Sequence, residues 1–354
     1  MSTALAVAGS AAETAPRRTA VLLMNLGTPD APETTAVRRY LREFLSDPRV
    51  IDMNPVGRWL LLNLVILPFR PARSAHAYQA IWGPQGSPLL HYSQRQRELV
   101  EARLGGVPVL LAMRYGNPSL RAVVERLAAD AVDELLVVPL YPQYASATTG
   151  STLEAVMQAL AALPHVPSLR VVPPFFADGG FQQAWVRVIG EALEKHPVDH
   201  VVFSYHGLPE RQVRATDQTG GHCLASASCC DALTTANHAC YRAQCFATTR
   251  ALKARLGLAT VTTAFQSRLG RVPWLQPYLD GHLTMLATQG VKKVAVVCPA
   301  FVSDCLETLE EIGIRMKAGF LAAGGQELVL VPCLNDHPAW IDALAALVRR
   351  ELRP

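Results

Sequence analysis

The chain has no long hydrophobic run, little charge and few aromatic residues, and each shortage excludes a class of protein. Charged side chains make up 18% and aromatic ones 7% of the 354 residues, while half of all residues are apolar. A composition so apolar belongs to a folded chain with a sizeable core, and this length exceeds one compact unit, so two domains are expected. The longest uncharged apolar run, Trp59 to Phe69 (WLLLNLVILPF), falls well short of the roughly 20 residues that a membrane-spanning helix needs. Basic residues number 33 against 29 acidic ones. A net charge of +4 is too small to mark a nucleic-acid surface, though it suits an anionic ligand or an acidic membrane surface. Residues 1–17 (MSTALAVAGSAAETAPR) lack both a basic leader and an apolar centre, which reads as a disordered tail and against a cleaved signal. A cytoplasmic protein is therefore expected. Its eight cysteines would then sit in a reducing compartment, where burial or metal ligation outweighs disulfide formation.

What is present is a series of eight short runs rich in Val, Ile and Leu, the pattern of strands buried on both faces. The first four cover 20–26, 107–113, 134–140 and 169–174; the second four cover 199–205, 259–265, 291–298 and 327–332. Helix-period stretches such as 119–130 separate them, so βαβ units are expected. The fold predicted is α/β: two Rossmann-like domains, each a four-stranded parallel sheet flanked by helices. Residues 18–175 form the first domain, with an apolar segment at 55–70, and 176–336 the second, with a cysteine-rich insert at 220–249. A last helix at 337–354 completes the chain and is free to fold back across the first domain. The unusual residues follow the expected strands: LGTP at 26–29, MRYGNP at 113–118, YPQY at 141–144, SYHGLP at 204–209, QSRLG at 266–270 and FVSDCLE at 301–307. Open α/β sheets bind ligands beyond the carboxyl ends of their strands, so two facing sheets predict an interdomain cleft lined by these segments.

Four of these segments carry a resemblance. SYHGLP around His206, YPQYASATTGS at 141–151, FQSRLGRVPWL at 265–275 and CPAFVSDCLETLEE at 298–311 closely resemble ferrochelatases, and the likeness extends over nearly the whole chain from about residue 20. It implies insertion of Fe²⁺ into protoporphyrin IX to form protohaem. Coproporphyrin is the alternative substrate within the same class. A non-catalytic module that captures tetrapyrroles or metal ions is the alternative outside it, because a bilobal fold serves capture as well. Cobalt insertion into a more polar tetrapyrrole fits the apolar 59–69 run less well.

His206 stands just past an expected strand and before Gly207, where an imidazole can be exposed and the chain can turn. Read alone, such a histidine is as well explained by a bond to a backbone carbonyl. With the resemblance it becomes the proton acceptor, since metal insertion must remove two pyrrole protons and a neutral imidazole takes one. Glu307 lies three residues beyond Asp304, at the opening of an expected helix. Capping by Asp304 explains that residue well, while the resemblance places Glu307 across the porphyrin from His206, binding Fe²⁺ or passing on protons. Both are thus candidate ligands of the iron substrate. Cys305 departs from the histidine that many ferrochelatases carry there, so no proton role is expected of it. The resemblance further implies that Arg114, Tyr115 and Tyr141 lie near the metal route. It assigns Arg70, Tyr78 and Ser87 to the propionates, for which a guanidinium fork is well suited. Asn25 and Leu26 should floor the macrocycle pocket. The 59–69 run is either a core helix or, as the resemblance implies, a lip resting in the membrane interface, which would make the protein peripheral on the inner face of the membrane. Nothing in the pattern favours a homodimer over a monomer.

Between Gly220 and Thr249 lie five of the eight cysteines: Cys223, Cys229, Cys230, Cys240 and Cys245. Four thiolates suit zinc or an iron–sulfur cluster, and the resemblance to bacterial ferrochelatases with such an insert implies a [2Fe–2S] cluster. Adjacent Cys229 and Cys230 compete for one compact site, so Cys223, Cys230, Cys240 and Cys245 are the expected ligands, with Cys229 as the alternative. Cys298 and Cys333 read as buried small hydrophobes, and His222 and His238 as surface residues.

Overall fold

The computed structural model describes residues 17–270 and 272–352; apart from Arg17, the tail expected at 1–17 lies outside the described residues. Eight strands form: β1 (Thr19–Thr28), β2 (Val109–Gly116), β3 (Glu134–Pro139), β4 (Ser168–Val171), β5 (His200–His206), β6 (Val261–Gln266), β7 (Lys293–Val297) and β8 (Glu327–Leu330). They make two all-parallel sheets of the same permutation, β2-β1-β3-β4 and β6-β5-β7-β8. In each sheet the first strand is central, so its carboxyl end lies between those of its second and third neighbours. The α/β architecture and both strand sets are as the hydrophobic pattern predicts.

Alternation along β1 shows why its run is apolar throughout. Val21 and Leu23 enter one core while Ala20, Leu22 and Met24 enter another, so both faces are covered and neither tolerates a polar residue. The core holding Val21 and Leu23 also receives Val201, Phe203 and Tyr205 of β5 and the buried face of the last helix, Pro338–Leu352. That helix packs on helices Gly179–Lys195 and Pro88–Leu104 and on β3. Its Trp340 is fully buried and stacks on Phe175 at 5.8 Å between ring centroids. One apolar core therefore joins the two sheets, with the chain terminus folded back toward the first.

Strand ends differ from the expectation in one useful way. The run at 107–113 continues as strand to Gly116, because Gly27 pairs in register with Tyr115 and Thr28 with Gly116. Arg114 and Tyr115 are therefore strand residues and do not follow the strand. The close pairing explains Gly27: its φ is +115°, and a Cβ there would stand 1.8 Å from the Tyr115 carbonyl oxygen. Gly27→Ala should accordingly destabilise the protein by about 1–3 kcal/mol through backbone strain, measured as a lowered urea midpoint with unchanged slope.

Candidate active site

The carboxyl ends of β5 and β6 build the centre of the site. His206, the last residue of β5, pairs in register with Gln266, the last of β6. Directly after it the chain turns hard against β6: the Gly207 N–H donates to the Gln266 carbonyl at 2.7 Å. A Cβ on Gly207 would meet that oxygen at 2.8 Å, which explains the His-Gly order. The His206 Nδ1 lies 2.6 Å from the Gly207 carbonyl. A carbonyl can only accept, so Nδ1 carries a proton and donates it, and whenever the ring is neutral Nε2 is the nitrogen with the lone pair. The residue is half-buried.

Gln266 also reaches the opposite partner. Its Nε2 donates to the Glu307 carbonyl at 2.8 Å, and its Oε1 accepts from Ser204 Oγ at 2.6 Å. Glu307 opens the short helix Leu306–Leu309, which runs into a π-helix, Glu311–Met316. The N-cap of the short helix is Cys305, not Asp304: the Cys305 N–H donates to Thr308 Oγ1 at 3.1 Å, and the Cys305 thiol faces the Thr308 N–H. Asp304 is instead a buried tie, accepting from Thr308 Oγ1 at 2.9 Å and Asn335 Nδ2 at 2.7 Å. Gln96, from the first sheet's side, secures the same loop by donating to Asn335 O at 2.7 Å and Ser303 Oγ at 3.0 Å.

Glu311, one helical turn after Glu307, escapes a reading by strand ends, although the i,i+4 spacing marks it. It is buried, and its carboxylate accepts from the backbone N–H of Ser267 at 2.9 Å and from the Ser267 hydroxyl. Burial raises its pKa; the Ser267 bond and the charge of His206 oppose the rise, and the neighbouring Glu307 reinforces it. His206, Glu307 and Glu311 therefore form one electrostatically connected group.

Across from Glu307 stand residues of the first half. Burial raises the Tyr78 hydroxyl pKa strongly and the Glu307 charge adds to it; Tyr40 responds to Glu307 in the same way. Arg70 is exposed. Partial desolvation by the surrounding protein lowers its pKa, and Glu307 opposes that. Ser87 is buried at the N-terminus of helix Pro88–Leu104, its hydroxyl accepting from Thr28 Oγ1 at 2.8 Å. Asn25 is buried against Ser93 at 3.0 Å, while Leu26 is half-buried beside the Tyr40 and Tyr78 cluster. Leu306 packs on that same cluster, which brings the Glu307 loop to the first half.

Arg114, Tyr115 and Tyr141 are more inward. Tyr115 is 1% exposed, and its hydroxyl bonds Asp47 Oδ2 at 2.8 Å and Ser151 Oγ at 3.1 Å. Arg114 pairs with Asp47 at 2.6 Å and with Ser151 Oγ at 2.7 Å. Tyr141 is buried, accepting from Thr152 Oγ1 at 3.4 Å, and burial raises its pKa. The run at 59–69 is partly buried and partly exposed. Leu62, Ile66 and Leu67 are buried under the segment, while Trp59, Leu64, Val65 and Phe69 face outward, Phe69 being 76% exposed. Among the described residues no helix is long and apolar enough to cross a membrane.

In the insert all five thiols are buried and free. Cys240 lies near Cys223 and Cys230, and Cys245 near Cys230. The Cys229 and Cys230 sulfurs are 3.6 Å apart, so sequence adjacency does not turn one of them away. Arg242 Nη1 reaches Cys229 Sγ at 3.8 Å and Arg250 Nη1 the Cys230 carbonyl at 2.9 Å, cations that suit an anionic group. The donor set fits a soft metal centre, although among the described residues no three His, Cys, Asp or Glu side chains are arranged as a preformed metal site. His238 is exposed, and the half-buried His222 turns its Nε2 to the Cys229 carbonyl. Cys298 and Cys333 are core residues.

Asp47 yields a pH dependence. Burial raises its pKa, but bonds from Ser151, the Arg49 N–H and Tyr115, with the Arg114 charge, outweigh that and hold it below the ordinary 3.8. A lowered folded-state value contributes stability above pH 4 that is lost as pH falls through the folded pKa. Unfolding free energy should therefore drop below about pH 4, and Asp47→Asn should be less stable at pH 7 with a flatter acid limb, checked by urea titrations across pH.

The family model described as Ferrochelatase matches residues 18–352. A ferrochelatase of Azotobacter vinelandii is 50% identical over 333 residues, covering 93% of this chain and 98% of the relative. One of Coxiella burnetii (strain CbuG_Q212) is 46% identical over 94% of each chain. Among solved structures, the sirohydrochlorin chelatase SirB from Bacillus subtilis subspecies spizizenii in complex with cobalt aligns with a TM-score of 0.53 at 12% identity, over 94% of this chain and 95% of that one. SirB from Bacillus subtilis with Fe³⁺ aligns at 0.52 and 13% over the same shares, a likeness of fold alone. The match over nearly the full length and the identity near one half show that this chain belongs to the ferrochelatase family.

Proposed function

We propose that the site inserts ferrous iron into protoporphyrin IX, with His206 as proton acceptor and Glu307 as the carboxylate on the opposite side of the macrocycle. The family's reaction is metal insertion into a porphyrin in haem biosynthesis, and the chain is an enzyme of that kind. The observation that carries the residue assignment is the His206 contact: Nδ1 lies 2.6 Å from the Gly207 carbonyl, so in the neutral ring Nε2 is the nitrogen left to accept. Forming a metalloporphyrin breaks two pyrrole N–H bonds and forms bonds from those nitrogens to iron, with no change of oxidation state. One proton goes to His206 Nε2 and the other to the Glu307 and Glu311 carboxylates, of which Glu311 is biased by burial toward holding a proton. Arg70, Tyr78 and Ser87 face the propionates, with the Arg70 guanidinium as the charged partner. Asn25 and Leu26 line the floor, Tyr141 and Arg114 border the metal route, and Tyr115 supports Arg114 through Asp47.

The outward apolar side chains of 59–69, joined by Val56 at 68% exposure, fit a lip that rests in the interface of a membrane, where hydrophobic substrate and product partition. In the insert, Cys223, Cys230, Cys240 and Cys245, or Cys229 in place of one of them, would hold a [2Fe–2S] cluster. Such a cluster, when bound, supplies one-electron redox chemistry and a cross-link among the segments that carry its ligands.

Two measurements test these readings. In anaerobic assays with Fe²⁺ and free-base porphyrin, His206→Ala should slow metalloporphyrin formation by about 10²-fold or more while still binding porphyrin; an active variant would remove His206 from the mechanism. Faster turnover of coproporphyrin than of protoporphyrin IX would reverse the substrate assignment. The protein as isolated should show visible iron–sulfur charge-transfer absorption, and a colourless, zinc-containing preparation would reject the cluster.

A further inference from the structure

Helix Tyr241–Leu256 begins inside the thiol cluster and ends its contacts in the active site. Cys240 is its N-cap and Cys245 lies in its second turn. Residues 240, 241, 244, 245 and 248 share one face at helical spacing, and nearly everything on that face is buried and engaged. The Tyr241 hydroxyl donates to the His206 carbonyl at 2.9 Å. Gln244 Oε1 accepts from the Tyr144 N–H at 2.7 Å, and Gln143 Nε2 donates to Thr248 Oγ1 at 3.1 Å, so the loop after β3 that carries Tyr141 docks on the same stripe.

We propose that this helix couples the thiol cluster to the metal-insertion site, with Tyr241 as the positioning residue for His206 and Gln244 as that for the Tyr141–Tyr144 loop. The peptide between His206 and Gly207 is clamped from both sides: Tyr241 holds its carbonyl and the Gln266 carbonyl holds its N–H. The carbonyl that fixes the imidazole tautomer belongs to the next peptide group, that of Gly207. Release of the Tyr241 bond therefore lets the first group rotate and shifts the acceptor that orients the ring. Tyr241 directly follows Cys240 and lies one turn before Cys245 on the same helix. A change in sulfur spacing, whether by metal loading or loss, acts on the very turn that carries Tyr241, and hydrogen bonds weaken steeply once angle and distance leave their optimum. The coupling affects turnover only through His206 as proton acceptor, the reading on which the proposal rests.

The test uses the full chain as isolated. Tyr241→Phe keeps the ring and removes the hydroxyl; kcat for ferrous insertion should fall about tenfold with the porphyrin KM within about twofold, the signature of a lost orientation and not of lost binding. Unchanged kcat with lower thermal stability alone would reduce Tyr241 to packing and overturn the proposal. The second readout is the His206 imidazole resonance in ¹⁵N-histidine-labelled protein, identified among the ten histidines by its loss in His206→Ala. Cys245→Ser should move this resonance in the wild-type background and leave it unmoved in the Tyr241→Phe background; Cys240→Ser serves if that variant does not fold. Equal shifts in both backgrounds would refute the coupling. The resonance decides the coupling by itself, because turnover by His206→Ala would count only against the proton-acceptor reading.

Discussion

One side-chain amide ties the Glu307 segment to the strand end that carries His206. Gln266 ends β6 beside His206 in register, donates to the Glu307 carbonyl and accepts from the Ser204 hydroxyl. Because both ends of the amide are used, it cannot flip without breaking its bonds to the buried Ser204 and the half-buried Glu307. The carboxylate that faces the first half is thus tied to the same strand pair that exposes the imidazole. The backbone carbonyl of Gln266 adds the turn at Gly207. A strand pairing, rather than any loop, defines where the two groups stand.

The same loop is secured a second time from the other half. Gln96 sits on helix Pro88–Leu104 and bonds the segment around Ser303 and Asn335, which in turn holds Asp304. Together with the apolar core shared by both sheets and the returning helix Pro338–Leu352, this makes the placement of the Glu307 segment against the first half a property of the whole fold. Three consecutive helical elements over Pro55–Gln79 pack against helix Thr34–Ser46 in the first half. Their buried residues, Tyr78 among them, pack in one cluster with Tyr40 and Tyr115, and several of their apolar residues stay exposed. Such a division follows from a run too apolar for one amphipathic face and too short to span a bilayer.

Much of the site could be read from the residues because parallel sheets gather their strand ends. Buried strands must be apolar throughout, so eight Val-, Ile- and Leu-rich runs are visible without knowing their order. Polar motifs immediately after them then mark one edge of each sheet. The pattern fails where a residue's role depends on a partner remote in sequence. Arg114 and Tyr115 look like free strand-end groups until Asp47 and Ser151 are seen to occupy them. Asp304 looks like a helix cap until Asn335 claims it. Glu311 carries no strand-end signal, and Tyr241 none of any kind.

The sequence by itself determined the α/β class, the two sets of four strands, the cysteine-rich insert, the absence of a run long enough to span, and the motifs that resemble ferrochelatases. These are local properties, set by the period and polarity of consecutive residues. Only the tertiary structure decided that both sheets share one strand permutation, that the Nδ1 of His206 is committed and Nε2 free, and that Glu311 joins Glu307. It also decided that a tyrosine beside the thiol cluster holds the histidine's own carbonyl. The strand order and the Tyr241 bond join segments tens of residues apart, and the local His206–Gly207 contact rests on a turn that Gln266 of β6 fixes; no pattern of neighbouring residues encodes which distant partner will be met.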